Sequence, residues 1–304
     1  MTHNDLLKKI ILLVSFLLLA PIVQAGEVLG TKPSYLNGVT PDVPNQAAIS
    51  RMIWAPGLDD GYVPQGMTFS NGALFMSAYQ SSFSKSDKGA CRIFKVDPKT
   101  GQTMGQFDLD LGCGHAGGLA ATGKGHLIVA DTHRLYKIDL ASAFAAGHSA
   151  NAVVAILDLG GKLKGSFADF HAGSIFIGSY EKNVSHATGY YLPFTLFDTH
   201  NGQTITEQMA SRSVLLPPQS QGAAFDKNGV LWISSSTGKF GLLSRLDAKT
   251  GAVQARYDMV NGIEDLAFDD AGRLWSVSES GSIRWRNRSV SFPVLFRVEM
   301  GRVK

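Results

Sequence analysis

The feature that most constrains this chain is a pattern of about 50 residues that returns five times along it. The first copy reads PQGMTFSNGALFMSAYQ and continues with RIFKVDPKTGQTMGQFDL, and the second reads AGGLAATGKGHLIVADTHRLYKIDL. Equivalent positions in the first segment of each copy are Gln65, Gly117, Ser166, Gln221 and Glu264, which gives spacings of 52, 49, 55 and 43 residues. Spacings of this size are typical of a repeated four-stranded unit.

The local pattern within each copy is that of β-strands. Apolar and polar residues alternate, and the turns carry Gly, Asn or Asp in the tripeptides SNG, HAG, KNG and DAG and in TGKG. The 33 glycines and the low charged fraction of 17% agree with a loop-rich β protein. We therefore predict an all-β fold, a single β-propeller of five four-stranded blades. A sixth blade within residues 27–48 is the alternative, and the shortness of that stretch disfavours it.

The two ends of the repeat predict how the ring closes. After the segment from Val294 to Met300 only four residues remain, so the fifth copy lacks a fourth strand. The segment from Ile49 to Trp54 lies just before the first copy and looks like a fourth strand without a third. Pairing it with the last blade leaves no open sheet edge, so we predict closure by this N-terminal strand.

The first residues have the layout of an export signal. Lys8 and Lys9 precede an apolar run from Ile10 to Ala20, and small residues at positions 23 and 25 follow. The run is shorter than the ~20 residues that span a bilayer. We predict a signal peptide over 1–25, an N-terminal extension over 26–48 and the propeller over 49–304, with an uncleaved anchor as the alternative. The protein is then exported, either periplasmic or extracellular.

The charge balance restricts the partners. The formal net charge of +3 becomes +2 when Lys8, Lys9 and Asp5 are removed with the signal. So small a charge does not favour nucleic acid or a membrane surface. We expect a monomer that binds neither and is not inserted in a membrane after cleavage.

The two cysteines, Cys91 and Cys113, lie close together in sequence. In an oxidising compartment such a pair predicts a disulfide. Two free thiols are the alternative.

The second copy also carries a family resemblance. Its strand ends in VAD, and after a short turn the next strand reads RLYKID, an order that resembles the NHL and SMP-30/gluconolactonase-like propellers. The resemblance implies the architecture. In the lactonases it also implies a divalent cation held by Glu, Asn and Asp from different blades, which polarises a lactone carbonyl. Glu264 matches the glutamate, whereas the other equivalent positions hold Gln, Gly, Ser and Gln.

Loop lengths predict the binding face. Loops after the second strand are long in three copies, Gln80 to Ala90, Glu181 to Gly189 and Ser280 to Phe292, and long loops usually carry function. We therefore place the ligand site where these loops surround the axial channel. The candidate ligand-binding residues are Gln65, Tyr79, His115, Asp131, His133, Tyr180, Glu181, Gln221, Glu264 and Glu279, with Ser166 and Ser236 at equivalent positions.

Three of these candidates are carboxylates that suit a metal. Asp131, Glu264 and Glu279 offer the oxygen ligands that Ca²⁺ prefers. The alternative is a water-filled channel lined by polar side chains without a metal. Asp265 follows Glu264 directly, and because side chains alternate along a strand we expect it to bond backbone groups instead.

Two aromatic features have simpler interpretations. The basic stretch that contains Arg284, Trp285 and Arg288 suits an anion, but we favour an exposed arginine-rich loop. Trp232 and Trp275 occupy equivalent repeat positions and are predicted to lie in the core between blades.

Two functions remain open from the sequence. The first is an exported propeller that binds a small molecule, a glycan or a protein at the channel mouth. The second is a Ca²⁺- or Zn²⁺-dependent lactone or ester hydrolase that uses Glu264, Glu279 and Asp131.

Overall fold

Five four-stranded antiparallel units form a ring in the part of the chain that the computed structural model describes, residues 27–81, 89–109, 112–183, 185–236 and 240–304. The first strand of each unit packs against the first strand of the next, and the fifth returns to the first. The predicted five-bladed β-propeller is confirmed. The predicted signal peptide, residues 1–25, lies outside the described residues.

The blades are numbered in the order of the sequence copies, and the strands in chain order. Blade 1 contains β2 (Tyr62–Ser70), β3 (Ala73–Gln80), β4 (Cys91–Val96) and β5 (Thr103–Leu109); blade 2 contains β6 (Gly118–Ala121), β7 (His126–Asp131), β8 (Arg134–Asp139) and β9 (Val153–Leu159). Blade 3 contains β10 (Phe167–His171), β11 (Ser174–Gly178), β12 (Thr188–Pro193) and β14 (Arg212–Leu215); blade 4 contains β15 (Ser220–Phe225), β16 (Leu231–Ser236), β17 (Gly241–Leu246) and β18 (Val253–Met259). Blade 5 contains β19 (Ile263–Phe268), β20 (Leu274–Ser278), β21 (Val294–Val298) and β1 (Ile49–Trp54).

Strand β1 closes the ring. It runs antiparallel to β21, with Ile53 opposite Leu295 and Trp54 opposite Val294. The N-terminal strand thus supplies the fourth strand that the fifth copy lacks, as the sequence predicts. Closure of this kind joins residues from the two ends of the described chain in one sheet.

Blade 3 departs from the repeat. The strand β13 (Gln203–Ile205), which follows the turn at Gly202, pairs in parallel with β9 and becomes a fifth strand of blade 2. The outer strand of blade 3 is instead β14. The short helices α1 (Leu140–Ala146) and α2 (Leu196–Thr199) lie in the connections after β8 and β12, and no helix in the described part of the chain is long and apolar enough to cross a membrane.

The core lies between neighbouring blades. Trp232 packs among apolar side chains of blades 4 and 5, and Trp275 packs among those of blades 5 and 1. Their indole N–H groups donate to Asp226 and Asp269, six residues earlier in the chain in each case. The prediction that these tryptophans form core between blades is confirmed.

The innermost strands meet closely at the axis. A side chain at Gly118 would overlap the backbone at Phe167 and Ala168, so only glycine permits this approach of blades 2 and 3. The Asp265 carboxylate accepts backbone N–H groups from Met67 and Leu119 at 3.1 Å each and from Ala223 at 3.2 Å. One side chain of blade 5 thereby bonds blades 1, 2 and 4, which confirms the expectation that Asp265 bonds backbone groups.

The two cysteines are joined as predicted. A disulfide links Cys91, at the start of β4, to Cys113, in the connection that leads into blade 2. Both residues are buried. The bond ties the outer part of blade 1 to the segment that carries His115.

Candidate functional site

A pocket of about 450 Å³ opens at the channel mouth. All five blades contribute to its wall: Gln65, Tyr79, His115, Thr132, Ser166, Tyr180, Gln219, Gln221, Ser236, Glu279, Arg284, Trp285 and Arg288. Most of these residues follow from two positions in the repeat, the start of the first strand and the end of the second. The structure therefore brings most of the candidate ligand-binding residues together around one cavity.

Two neighbouring buried glutamates lie at this end of the channel, and of the two Glu279 lines the pocket whereas Glu264 does not. Glu279 accepts from the side-chain amide of Gln65 at 3.3 Å and pairs with the guanidinium of Arg288 at 3.3 Å. Glu264 lies next to it and accepts from the amide of Gln221 at 3.0 Å. Only 2% of Glu264 and 7% of Glu279 is exposed, so the two carboxyl groups are largely removed from water.

Burial and mutual repulsion change the titration of this pair. Burial, followed by the charge of Glu279, raises the pKa of Glu264 well above its ordinary value, although Arg288 opposes the shift. Burial likewise raises the pKa of Glu279, and Arg288 offsets part of that effect. Two neighbouring carboxyls of this kind titrate as one coupled unit. We conclude that a proton is retained on the pair at a pH where isolated glutamates are ionised.

The wall above the glutamates comes from the long loop of blade 5, which contains a short helical turn at Ile283–Trp285. The Arg284 guanidinium lies over the rings of Tyr79, at 5.4 Å, and Trp285, at 5.2 Å. Arg288 lies 4.1 Å from the centre of the Trp285 ring. The expectation of a merely exposed arginine-rich loop is wrong, because these three side chains are half-buried against the pocket while Arg286 points outward.

Sequence reasoning therefore missed Arg284, Trp285 and Arg288 as pocket residues. The available signal was the length of the loop from Ser280 to Phe292. Its inward fold was not readable, because that depends on aromatic and hydrogen-bond partners from distant parts of the chain.

The opposite wall is held by Asp131. Its carboxylate accepts the backbone N–H groups of Gly114 at 3.2 Å, His115 at 2.8 Å and Ala116 at 3.0 Å. The His115 ring then lies 5.6 Å from the ring of Tyr79. Asp131 thus orients the segment that carries His115, which is already tied by the disulfide at Cys113.

The three carboxylates suggested for a metal are not gathered in one place. Among the described residues, the one group of three His, Cys, Asp or Glu ligand atoms within 4.8 Å of each other is Cys91, Cys113 and Asp131. The two sulfurs of that group form the disulfide. Asp131 therefore forms no such group with Glu264 and Glu279, and of these three carboxylates Glu279 lines the pocket.

The remaining candidates border the pocket or lie beside it. Asp131 and His133 line an adjacent, more open cavity of about 800 Å³, which shares His115 and Thr132 with the first. Glu181 pairs with Lys164 at 3.2 Å and does not line the pocket. Tyr180 stays at the rim, where its hydroxyl accepts from Gln219 at 2.9 Å.

Comparisons with known proteins support the fold. No family model matches the chain, and no curated protein matches it in sequence. Its structure is similar to a glutaminyl cyclase from Myxococcus xanthus, with 14% identity, a TM-score of 0.54, and coverage of 83% of this chain and 94% of that protein. It also matches the WD40 propeller domain of Doa1, with 13% identity, 71% and 76% coverage and a TM-score of 0.42.

A further match is a protein of unknown function from Bacteroides caccae, with 10% identity, 68% and 66% coverage and a TM-score of 0.40. Of these three matches the glutaminyl cyclase has a TM-score above 0.5, and at 14% identity it supports the β-propeller fold alone. Membership of the NHL or SMP-30/gluconolactonase-like group stays a prediction.

Proposed function

We propose that this protein is exported and binds a small polar molecule in the pocket at the channel mouth. The observation that carries the proposal is a buried glutamate, Glu279, in the wall of a cavity lined by all five blades, with a second glutamate, Glu264, next to it and bonded to the cavity-lining Gln221. A cavity of about 450 Å³ has the size of a small-ligand site. The export signal predicted over 1–25 and the Cys91–Cys113 disulfide support the location, since such bonds persist in oxidising compartments.

The chemistry of the wall favours a ligand with both donor and acceptor groups. The glutamate pair accepts hydrogen bonds, and the amides of Gln65 and Gln221 supply further polar atoms. Arg284 and Arg288 offset the charge of the carboxylates, so a neutral or singly anionic molecule suits the site better than a cation. The rings of Tyr79 and Trp285 provide flat apolar surface beside these groups.

Thermal unfolding with a filtered small-metabolite extract, and with the neutral glucono-δ-lactone and the singly anionic gluconate as single probes, tests this function. A ligand that binds only the folded state raises the free energy of unfolding, by about 2.7 kcal/mol at one hundred times its Kd, and therefore raises the Tm. We expect at least one probe to raise the wild-type Tm and the effect to disappear in Glu279→Gln. His133→Ala, in the adjacent cavity, is the matched control that should keep the shift. Absence of any wild-type shift would overturn the proposal.

A second candidate is the intramolecular aminolysis that the name glutaminyl cyclase describes. Two coupled carboxyls that retain one proton provide both a base and an acid. The ionised carboxyl would take a proton from the terminal amine as it attacks the side-chain amide carbon. The protonated carboxyl would give a proton to the departing nitrogen, and the carbon–nitrogen bond to that group would break with release of ammonia.

Ammonia release from a peptide with an N-terminal glutamine tests the second candidate. We expect turnover by the wild type and a loss of about 10²–10⁴-fold in Glu279→Gln, the pocket-lining member of the pair, which is the range for removal of a general acid or base. Wild-type protein that binds the peptide without releasing ammonia would leave the binding function standing and eliminate the cyclase.

A further inference from the structure

The loop that forms the blade 5 wall has a narrow neck, where residues 280–281 on one side bond residues 290–292 on the other. The Phe292 N–H donates to the Ser280 carbonyl at 2.7 Å, and the Ser280 hydroxyl donates to the Val290 carbonyl at 2.7 Å. A side chain at Gly281 would meet the Ser291 hydroxyl at 2.6 Å, so the two sides of the neck pack directly on each other. Everything between them, including Arg284 and Trp285, depends on the direction in which this neck points.

A segment some 250 residues earlier in the chain holds both sides of that neck. The Tyr35 hydroxyl donates to the Gly281 carbonyl at 3.1 Å. On the other side, the Thr40 N–H donates to the Ser291 carbonyl and the Ser291 N–H donates to the Thr40 hydroxyl, both at 2.7 Å. These contacts join the N-terminal extension to the pocket loop at three points.

The segment is itself anchored to the propeller. Burial raises the pKa of Tyr35, in keeping with a ring that packs against the core of blades 5 and 1. Leu36 and Val39 pack on the core beside Phe292. Ser34 bonds the Asp59 carboxylate through its backbone N–H at 2.9 Å and its hydroxyl at 2.8 Å, without touching the pocket loop.

We infer that Tyr35 and Thr40 are positioning residues for the ligand pocket, which they shape by holding the neck of the loop that carries Arg284 and Trp285. The internal bonds of the neck close the loop but do not fix its direction relative to blade 1. The bonds from Tyr35 and Thr40 fix it, so that Arg284 reaches the Tyr79 ring and Arg288 reaches Glu279. The role as a binding determinant rests on the proposed function, whereas the position of the wall is measurable without a ligand.

Acrylamide quenching of tryptophan fluorescence in the full chain measures that position. Trp54, Trp232 and Trp275 are at most 7% exposed, whereas Trp285 is half-buried at the pocket, so quenching reports mainly on Trp285. We expect Tyr35→Phe combined with Thr40→Ala to raise the quenching constant about twofold by local opening of the loop. The same measurement is repeated with Trp285→Phe added to the wild type and to the double variant. The part of the quenching that disappears in each case is the contribution of Trp285.

Two variants provide the controls. The single variant Thr40→Ser keeps the hydroxyl and should have the quenching constant of the wild type. Ser34→Ala removes a bond of the same segment that does not reach the loop and should leave quenching unchanged. Wild-type quenching in the double variant, or equal effects of Thr40→Ser and Thr40→Ala, would overturn the inference. Neither result depends on whether the pocket binds a ligand, so failure here is distinct from failure of the proposed function.

Discussion

Two adjacent residues of β19, Glu264 and Asp265, serve different regions of the molecule. Asp265 points to the axis, where backbone N–H groups of blades 1, 2 and 4 surround its carboxylate. Glu264 bonds the amide of Gln221, which lines the pocket, and lies near the carboxyl of Glu279. Both residues are at most 2% exposed, so burial alone does not distinguish them.

The difference lies in how completely each carboxylate is bonded. The Asp265 oxygens accept backbone N–H groups from three other blades, so this residue stabilises the closure of the propeller. The Glu264 and Glu279 pair keeps unfavourable repulsion in a site that faces a cavity. Such unfavourable arrangements concentrate at functional sites, which supports a stabilising role for the axis and the binding role that we propose for the mouth.

The largest expected effect comes from removing the axial acceptor. Asp265→Asn places an amide NH₂ against at least one of the backbone N–H groups from Met67, Leu119 or Ala223, whichever way the amide turns. A buried donor without an acceptor costs about 1–3 kcal/mol, so we expect the free energy of unfolding to fall by about this amount in urea titration.

The matched control is Asp247→Asn. Asp247 also accepts two backbone N–H groups, at 2.9 Å and 2.8 Å, but in an exposed turn where water replaces it. We expect a much smaller loss there. Equal losses of unfolding free energy in Asp265→Asn and Asp247→Asn would show that the axial carboxylate stabilises the protein no more than a carboxylate in an exposed turn.

A smaller effect of opposite sign is expected at the mouth. Glu264→Gln keeps an acceptor for Gln221 and removes one of two repelling groups, so at pH 8 we expect a gain of about 1 kcal/mol, or about 2–4 °C in Tm. Because the pKa of Glu264 is raised in the folded state, the wild type gains stability as the pH falls through that pKa. The gain is complete below the unfolded value of about 4.3, where the advantage of the variant should vanish.

Thermal unfolding of both proteins between pH 4 and pH 8 measures how the difference in Tm between Glu264→Gln and the wild type depends on pH. Glu181→Gln, which removes the partner of Lys164 at the surface, should show no comparable dependence on pH. A Glu264→Gln variant that is less stable than the wild type at pH 8 would show that Glu264 is a structural residue like Asp265.

The smallest expected effect is that of calcium. Because Asp131 is engaged by three backbone N–H groups away from Glu264 and Glu279, we expect added Ca²⁺ to leave the Tm of the mature protein within about 1 °C. A rise of several degrees that disappears in Glu264→Gln would instead establish a cation site at the mouth and favour the lactonase interpretation.

The repeat carried most of the fold prediction and much of the site. Gln65, Tyr79, Gln221 and Glu279 were placed at the mouth because equivalent positions in a repeat meet at equivalent places around a ring. Asp131 occupies the position equivalent to Tyr79, yet it caps the backbone of residues 114–116 instead of joining the glutamates. The residues that Asp131 bonds lie in the connection between blades 1 and 2. That connection is not part of the repeated pattern, so the repeat does not predict its path.

The sequence by itself determined the number of blades, the closing strand β1, the core tryptophans and the different directions of Glu264 and Asp265. Each follows from strand alternation or from spacing along the chain, which are local properties. Only the tertiary structure decided that β13 joins blade 2, that Arg284 and Trp285 turn into the pocket, and that Tyr35 and Thr40 hold them there. Those arrangements depend on contacts between residues far apart in the chain. Such contacts produce no periodic pattern in the sequence, so the sequence does not predict them.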